Sequence, residues 1–186
     1  MTATNGGSVI VQEPQGKASR LFLLFHGVGS DAPNLAPLGR VLAQVFPQAA
    51  VVSVAAPHVS DFGTGRQWFS VSGVTEENRA ARVEAAMPAF VAAVGEWQRK
   101  YNVAPEATAL VGFSQGSIMA LESARLGKAL AGRIVAFAGR FAVFLNADDM
   151  SELGVSEGQA VTLASDTGRM PAVATMFDLP RGSAMA

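Results

Sequence analysis

The 186-residue chain contains no cysteine, which excludes disulfides, thiolate metal sites and a cysteine nucleophile, and suits a reducing compartment. Charge is scarce as well. Charged residues make up 16% of the chain, below the ~25% of an average soluble domain. Fourteen Lys and Arg stand against fifteen Asp and Glu for a net charge of −1, and the cations are scattered. That leaves no electrostatic footprint for nucleic acid or for an anionic membrane. No stretch approaches the ~20 apolar residues of a membrane span, since Arg133 and Arg140 bracket the greasy Ile134–Ala138 segment. The first twenty residues are polar and Gly-rich, unlike a secretory leader. A soluble cytoplasmic protein is the expectation. Histidine is the last shortage: His26 and His58 are the only two.

What is present is ample apolar material, 49% of residues, enough for one substantial core or a core with a small appendage. Leu21–Phe25 is a continuous apolar run ended by His26-Gly27, as a strand buried on both faces requires. Val51–Ala55, Thr108–Phe113 and Arg133–Phe137 repeat the pattern, closed by Pro57, a glycine-flanked serine and Gly139. Long helix-like segments separate them, the spacing of crossover connections in a parallel sheet. A short edge strand at Val9–Val11 would precede them. The clearest helix runs from Glu76 to Arg99, capped by Thr75, with Val83, Met87, Phe90, Val91, Val94 and Trp97 on one stripe. Pro88 removes one internal hydrogen bond and predicts a bend. A second helix is expected over Ser117–Leu126, ended by Gly127. The fold class is α/β, a three-layer sandwich.

The tail differs in composition. Asn146 can cap a short helix ended by Gly154, and Ser156-Glu157-Gly158 and Asp166-Thr167-Gly168 read as turns around a strand at Gln159–Ala164 and another at Arg169–Phe177. This predicts a small β-rich unit rather than another strand-and-crossover repeat. We place the boundary near Phe141, giving units 1–141 and 142–186, the second resembling part of a barrel.

Gly112-Phe113-Ser114-Gln115-Gly116 carries the chemistry. A Gly-x-Ser-x-Gly between an apolar strand and a helix presents its serine on a strained turn at the sheet's C-terminal rim. Gly112 and Gly116 allow the backbone to approach closely there. The alternative is that Ser114 is an ordinary helix cap. His26-Gly27-Val28-Gly29-Ser30 follows the first strong strand, and its glycines free a loop to aim backbone N–H groups at an oxyanion. Val28 N–H and Gln115 N–H are the candidate donors. His26 either acts as the base or braces this loop. His58 is a surface or pocket-rim residue or a displaced base, and a direct bond to Ser114 is not expected if the Val51 strand lies beyond the Leu21 strand. Trp68 and Phe69, after the Gly-rich Gly63–Gly65, line an acyl or alcohol pocket or belong to the core. No Gly-Lys-Ser/Thr follows, so this is not a phosphate loop.

Leu23–Gly29, Asp61-Phe62-Gly63, Arg66–Ser70, Gly73-Val74-Thr75, Val111–Gly116 and Ile134–Arg140 together resemble the phospholipase/carboxylesterase-type serine esterases of the α/β-hydrolase fold, relatives of acyl-protein thioesterases. The resemblance covers roughly residues 8 to 141. It implies hydrolysis of small or medium acyl esters through an acyl-enzyme formed on Ser114, without a cofactor or metal. The family continues with two strands bearing the triad aspartate and histidine, and neither is recognisable here. Asp148, Asp149, Asp166 and Asp178 stand in a different context. The hydrolase-like sandwich is thus truncated after the strand that follows the serine's helix, and an exposed sheet edge there would allow self-association. Weak or absent activity is the corresponding expectation.

Val143–Met150, Leu153–Val161 and Asp178–Gly182 are similar to the C-terminal dinucleotide-binding barrel of molybdopterin oxidoreductases, over roughly 143 to 186. In that family the barrel helps to hold a pterin dinucleotide. With only part of it present, no cofactor is expected. The chain reads as two partial halves joined near 141–143.

Overall fold

The computed structural model describes residues 3–5, 7–138, 142–165, 168–176, 181 and 184–185. Backbone contacts divide the chain into two units, Met1–Gly139 and Arg140–Ala186.

The first unit is built on one six-stranded sheet. In chain order its strands are β1 (Ala3–Asn5), β2 (Ser8–Gln12), β3 (Arg20–Phe25) and β4 (Ala49–Val54). A small two-stranded hairpin, β5 (His58–Val59) with β6 (Arg66–Gln67), interrupts them before β7 (Thr108–Phe113) and β8 (Arg133–Phe137). The spatial order is β1-β2-β4-β3-β7-β8. The four strands from β4 to β8 are parallel, and β2 and β1 join antiparallel at one side. The strand at residues 8–12 is therefore not the edge expected of it. Ala3–Asn5, from the polar N-terminal stretch, pairs outside it as a hairpin, where main-chain bonding rather than side-chain pattern makes the strand.

Helices α1 (Ala36–Val45), α2 (Glu76–Tyr101) and α3 (Gln115–Glu122) cover the two faces. Because alternate residues of a strand face opposite ways, Leu21, Leu23 and Phe25 pack with Leu110 against Met87, Phe90, Val94 and Trp97 of α2 and Met119 of α3. Phe22, Leu24, Val51 and Val111 turn the other way, onto Leu38, Leu42 and Phe46 around α1. Burial on both faces explains the unbroken apolar runs. This is the α/β-hydrolase fold in its three-layer form. Phe25, Phe90 and Trp68 form its densest aromatic contact, with ring centroids 4.6 Å (Phe25–Phe90) and 5.0 Å (Trp68–Phe90) apart.

Thr75 caps α2 reciprocally: its hydroxyl accepts from Asn78 N–H, and the Asn78 side chain accepts from Thr75 N–H. The helix runs through Pro88 to Tyr101, two residues past the expected end, and closes on Asn102 in the left-handed conformation. Helix α3 begins at Gln115 rather than Ser117. The Ser114 carbonyl already accepts from Ser117 N–H (2.9 Å) and Ile118 N–H (3.1 Å), so the first turn closes directly behind the strand. The segment after Glu122 tightens into a 3₁₀ turn, Ser123–Arg125.

The second unit contains β9 (Ala142–Leu145), α4 (Ala147–Leu153), β10 (Ala160–Ser165), β11 (Gly168–Met176) and β12 (Ala184–Met185), in the order β10-β11-β9-β12. Asn146 caps α4 by accepting from Asp148 N–H at 2.9 Å, and Gly154 ends it with φ 65°. The unit is β-rich, but one expectation for it fails. Strands β9 and β11 are parallel, so α4 and β10 lie on a crossover connection of the kind the turn-rich composition argued against. The physical reason is β9 itself, a strand of four residues, too short to stand out from the sequence as a parallel partner for β11. Asp166, Asp178 and the expected boundary residue Phe141 lie outside the described residues. Among the described residues no helix is long and apolar enough to cross a membrane.

Candidate active site

Ser114 sits where β7 passes into α3, half-exposed, with φ 51° and ψ −114°. A non-glycine residue at positive φ outside the usual left-handed well is strained, and surrounding structure must hold it there. The neighbouring glycines do so. A Cβ on Gly112 would stand 2.5 Å from Ser117 N, and one on Gly116 would stand 2.1 Å from the Phe25 carbonyl oxygen. Across the site, a Cβ on Gly27 would meet Ser114 Cβ at 3.0 Å. Phe137 completes the frame. Its carbonyl accepts from Ser114 N–H (2.9 Å) and from Ser117 Oγ (2.8 Å), while its own N–H donates to Ser117 Oγ (3.1 Å).

Of the two readings left open for Ser114, the helix cap fails on geometry. Ser114 occupies the N-cap position of α3, yet its side chain makes no capping hydrogen bond. The hydroxyl stands outside the helix's own bonding.

His26 is buried with both ring nitrogens engaged. Ala56 N–H donates to Nε2 at 3.1 Å, which leaves the proton on Nδ1 to donate to the Gly27 carbonyl at 2.8 Å. Burial pushes the imidazole below its ordinary pKa. The bond to Gly27 and the Asp31 carboxylate oppose that shift, and the Arg66 guanidinium adds to it. A ring so bonded has no free lone pair with which to take a serine proton. His58 begins β5 and is exposed. Its preceding strand β4 is separated from β7 by β3, as the order expected from the sequence required. The two histidines thus stand with the hairpin and the loop, and among the described residues no hydrogen bond joins either to Ser114.

Val28 lies half-exposed at the turn after β3, between Gly27 and Gly29. Gln115 is buried, and its side chain is wholly committed: Oε1 accepts from Trp68 N–H (2.7 Å) and Nε2 donates to the Phe69 carbonyl (2.8 Å). Gln115 N–H heads α3, where an N–H has no intrahelical partner. Trp68 and Phe69 belong to the α2-side core, and they also line a recess of about 500 Å³ with His58, Ser70 and Arg82, a lining that does not include Ser114.

Two residues were not singled out for a role by sequence reasoning. The Asp61 carboxylate accepts from Gln67 Nε2 (2.9 Å), Ser70 Oγ (2.8 Å), Val71 N–H (2.8 Å) and Ser72 N–H (3.0 Å). Those bonds, the Gln67 and Ser70 side chains foremost, lower its pKa to about 2. Arg66 donates from Nε to the Ala56 carbonyl and from Nη2 to the Pro57 carbonyl (2.7 Å). The available signal was a lone cation and a lone anion inside a Gly-rich, aromatic stretch.

A serine on a strained strand-to-helix turn, facing a glycine loop, invites comparison with known hydrolases. The sequence model described as phospholipase/carboxylesterase matches residues 6–155. The chain belongs to the phospholipase/carboxylesterase family. The family match extends past the boundary expected near 141 and reaches α4. Esterase YpfH of Escherichia coli (strain K12) is 50% identical over 133 residues, 72% of this chain and 57% of that protein. The chain therefore spans less than two thirds of that relative's length. Among solved structures, esterase PE8 superposes with a TM-score of 0.62 at 26% identity, covering 92% of this chain and 87% of that one. The Bacillus cereus carboxylesterase superposes at 0.55 and 16% identity, covering 91% and 82%, a likeness of fold alone.

Proposed function

We propose that this chain carries the acylation half of a serine carboxylesterase site. In this reading the turn at Ser114 is a nucleophile elbow. Ser114 Oγ attacks the carbonyl carbon of a small or medium acyl ester, and Val28 N–H and Gln115 N–H receive the developing oxyanion. The alcohol leaves with a proton, and water releases the acid. Gly27, Gly112 and Gly116 shape the site, His26 braces it, and Trp68 and Phe69 wall it. The observation that carries the reading is the strained, uncapped Ser114 opposite the Gly27–Ser30 turn.

The proton from Ser114 has no histidine acceptor downstream in this sequence. With no hydrogen bond from either histidine to Ser114 among the described residues, solvent takes it instead and the reaction is slow. Loss of the base removes several orders of magnitude in intact triads, while oxyanion stabilisation leaves a residual rate. We place the chain in the cytoplasm. The reading needs no cofactor, since the serine is the nucleophile and the ester supplies its own leaving group.

Incubation with a fluorophosphonate probe tests the reading, since Ser114 Oγ bonds to phosphorus, fluoride leaves, and the hydroxyl proton passes to solvent. Slow labelling that vanishes in Ser114→Ala is the expected result. Labelling equal in both chains, or absent from both, ends it. The non-catalytic alternative, a binding module or remnant whose open sheet edge self-associates, is favoured by β8, which among the described residues pairs in its sheet with β7 alone and whose Val135 and Phe137 are exposed.

A further inference from the structure

A backbone N–H stabilises an oxyanion only when it is aimed, and Val28 has no side-chain device with which to aim its own. Its turn is pinned from both ends. On one side the Gly27 carbonyl is held by His26 Nδ1 (2.8 Å), and His26 Nε2 is held by Ala56 N–H (3.1 Å). On the other side Gly29 N–H donates to the Arg66 carbonyl (3.1 Å), and Arg66 N–H donates to the Ser30 carbonyl (2.7 Å). The Arg66 guanidinium closes the figure by donating to Ala56 and Pro57 carbonyls. Gly27, His26, Ala56, Arg66 and Gly29 are thus linked in a ring of hydrogen bonds that the chain closes through Val28.

The segment that supplies Arg66 also reaches the second donor. Gly65 lies so close to the turn that a Cβ there would stand 2.2 Å from the Gly29 carbonyl oxygen. Three residues later, Trp68 and Phe69 hold the Gln115 side chain. A single stretch, Gly65–Phe69, therefore touches Gly29 and Ser30 of the turn that carries one candidate donor and Gln115, which carries the other.

Resting on the reading of Ser114 as a nucleophile, we propose that Arg66 is a positioning residue that sets Val28 N–H against Gln115 N–H across the oxyanion site. The guanidinium suits the task. It is a planar fork that satisfies two carbonyls in one fixed geometry, whereas a lysine ammonium is a point donor on a flexible stem. Arg66 touches neither ester nor nucleophile in this assignment. It acts through the turn.

The experiment uses the full chain, its Arg66→Lys and Arg66→Met variants, and a fluorophosphonate whose binding and bond-forming steps are resolved as KI and kinact. Displacing one donor predicts a fall in kinact of roughly 10- to 100-fold for Arg66→Met. A smaller fall is expected for Arg66→Lys, with KI unchanged in both. Amide hydrogen exchange supplies the independent readout. Val28, Gly29 and Ser30 should exchange faster in the same order, Met above Lys above wild type, while β3 and β7 keep their protection.

Unchanged kinact in Arg66→Met, with the wild type labelled at Ser114, overturns the inference and leaves the nucleophile standing. Loss of protection throughout β3 and β7 assigns Arg66 to general stability and overturns it too. Should Arg66→Met fail to fold, Arg66→Lys decides on the same two readouts. No Ser114 labelling in the wild type overturns the underlying reading, and this inference with it.

Discussion

Replacing Gly116 by alanine tests whether the close approach of α3 to β3 holds the serine turn. The added Cβ would stand 2.1 Å from the Phe25 carbonyl oxygen, 2.6 Å from its carbon and 2.8 Å from Phe25 Cβ. Non-bonded contacts need about 3.5 Å, so the helix start must retreat from the strand by more than ~1 Å. Neither side can yield cheaply, because the obstacle is main chain in a strand paired on both edges. Overpacking of this kind costs about 1–3 kcal/mol, and each kcal/mol lowers the thermal midpoint of a chain this size by about 2–4 °C. The same retreat carries Gln115 N–H with it, and a ~1 Å misplacement lowers a reaction rate by about 100-fold. Gly127 provides the control, since a Cβ there meets nothing within 4 Å. Urea denaturation and fluorophosphonate labelling of both variants against wild type give the two readings. A Gly116→Ala chain within ~0.5 kcal/mol of wild type, the range of a neutral surface change, refutes the packing account of the turn.

Three further outcomes follow from the geometry. Phe90→Ala removes the ring that packs on Phe25 and Trp68 and should lose about 3–5 kcal/mol in urea unfolding; a loss under ~1 kcal/mol, that of an ordinary substitution, would mean that the aromatic cluster is not packed in solution. His26 has its pKa depressed by burial, so the neutral ring's stabilisation is complete above the unfolded value of about 6.5 and declines as pH falls from there toward the folded pKa. Urea midpoints across that window should fall with pH, and more shallowly in His26→Asn; identical slopes would refute the assignment. Asp61, with a pKa of about 2, should keep its loop bonds until pH falls below the ordinary carboxylate range, because a depressed acid loses its contribution only on protonation. An NMR titration placing it at an ordinary carboxylate value would show that the bonds from Gln67 and Ser70 do not persist.

Most of the first unit was legible because its physics is periodic. A strand covered on both faces must be apolar at every position, so Leu21–Phe25 and Thr108–Phe113 announced themselves. The α2 stripe from Val83 to Trp97 did so at helical spacing. Ser114 was legible for a different reason, since glycines two residues to either side of a serine, between a strand and a helix, have few other uses. Arg66 escaped because its partners are the Ala56 and Pro57 carbonyls, and Asp61 because two main-chain N–H groups and the common polar side chains Gln67 and Ser70 hold it; neither kind of partner carries a sequence label. The N-terminal hairpin at Ala3–Asn5 and the crossover from β9 to β11 were hidden likewise. Ladder bonds created the first from polar residues, and the second depends on which strands meet, a property that composition does not encode.

The frame around Ser114 has a consequence for inheritance. Its strain is held by Phe25, Ser117 and Phe137, none of which takes part in breaking an ester. Gly112 and Gly116 are required by the contact of one helix with one sheet, whether or not any substrate is ever turned over. Selection for a foldable chain alone would therefore preserve the serine's posture, and a lineage that had ceased to hydrolyse esters would go on displaying the shape of one that does. Posture at this turn records ancestry, and rate must be measured separately.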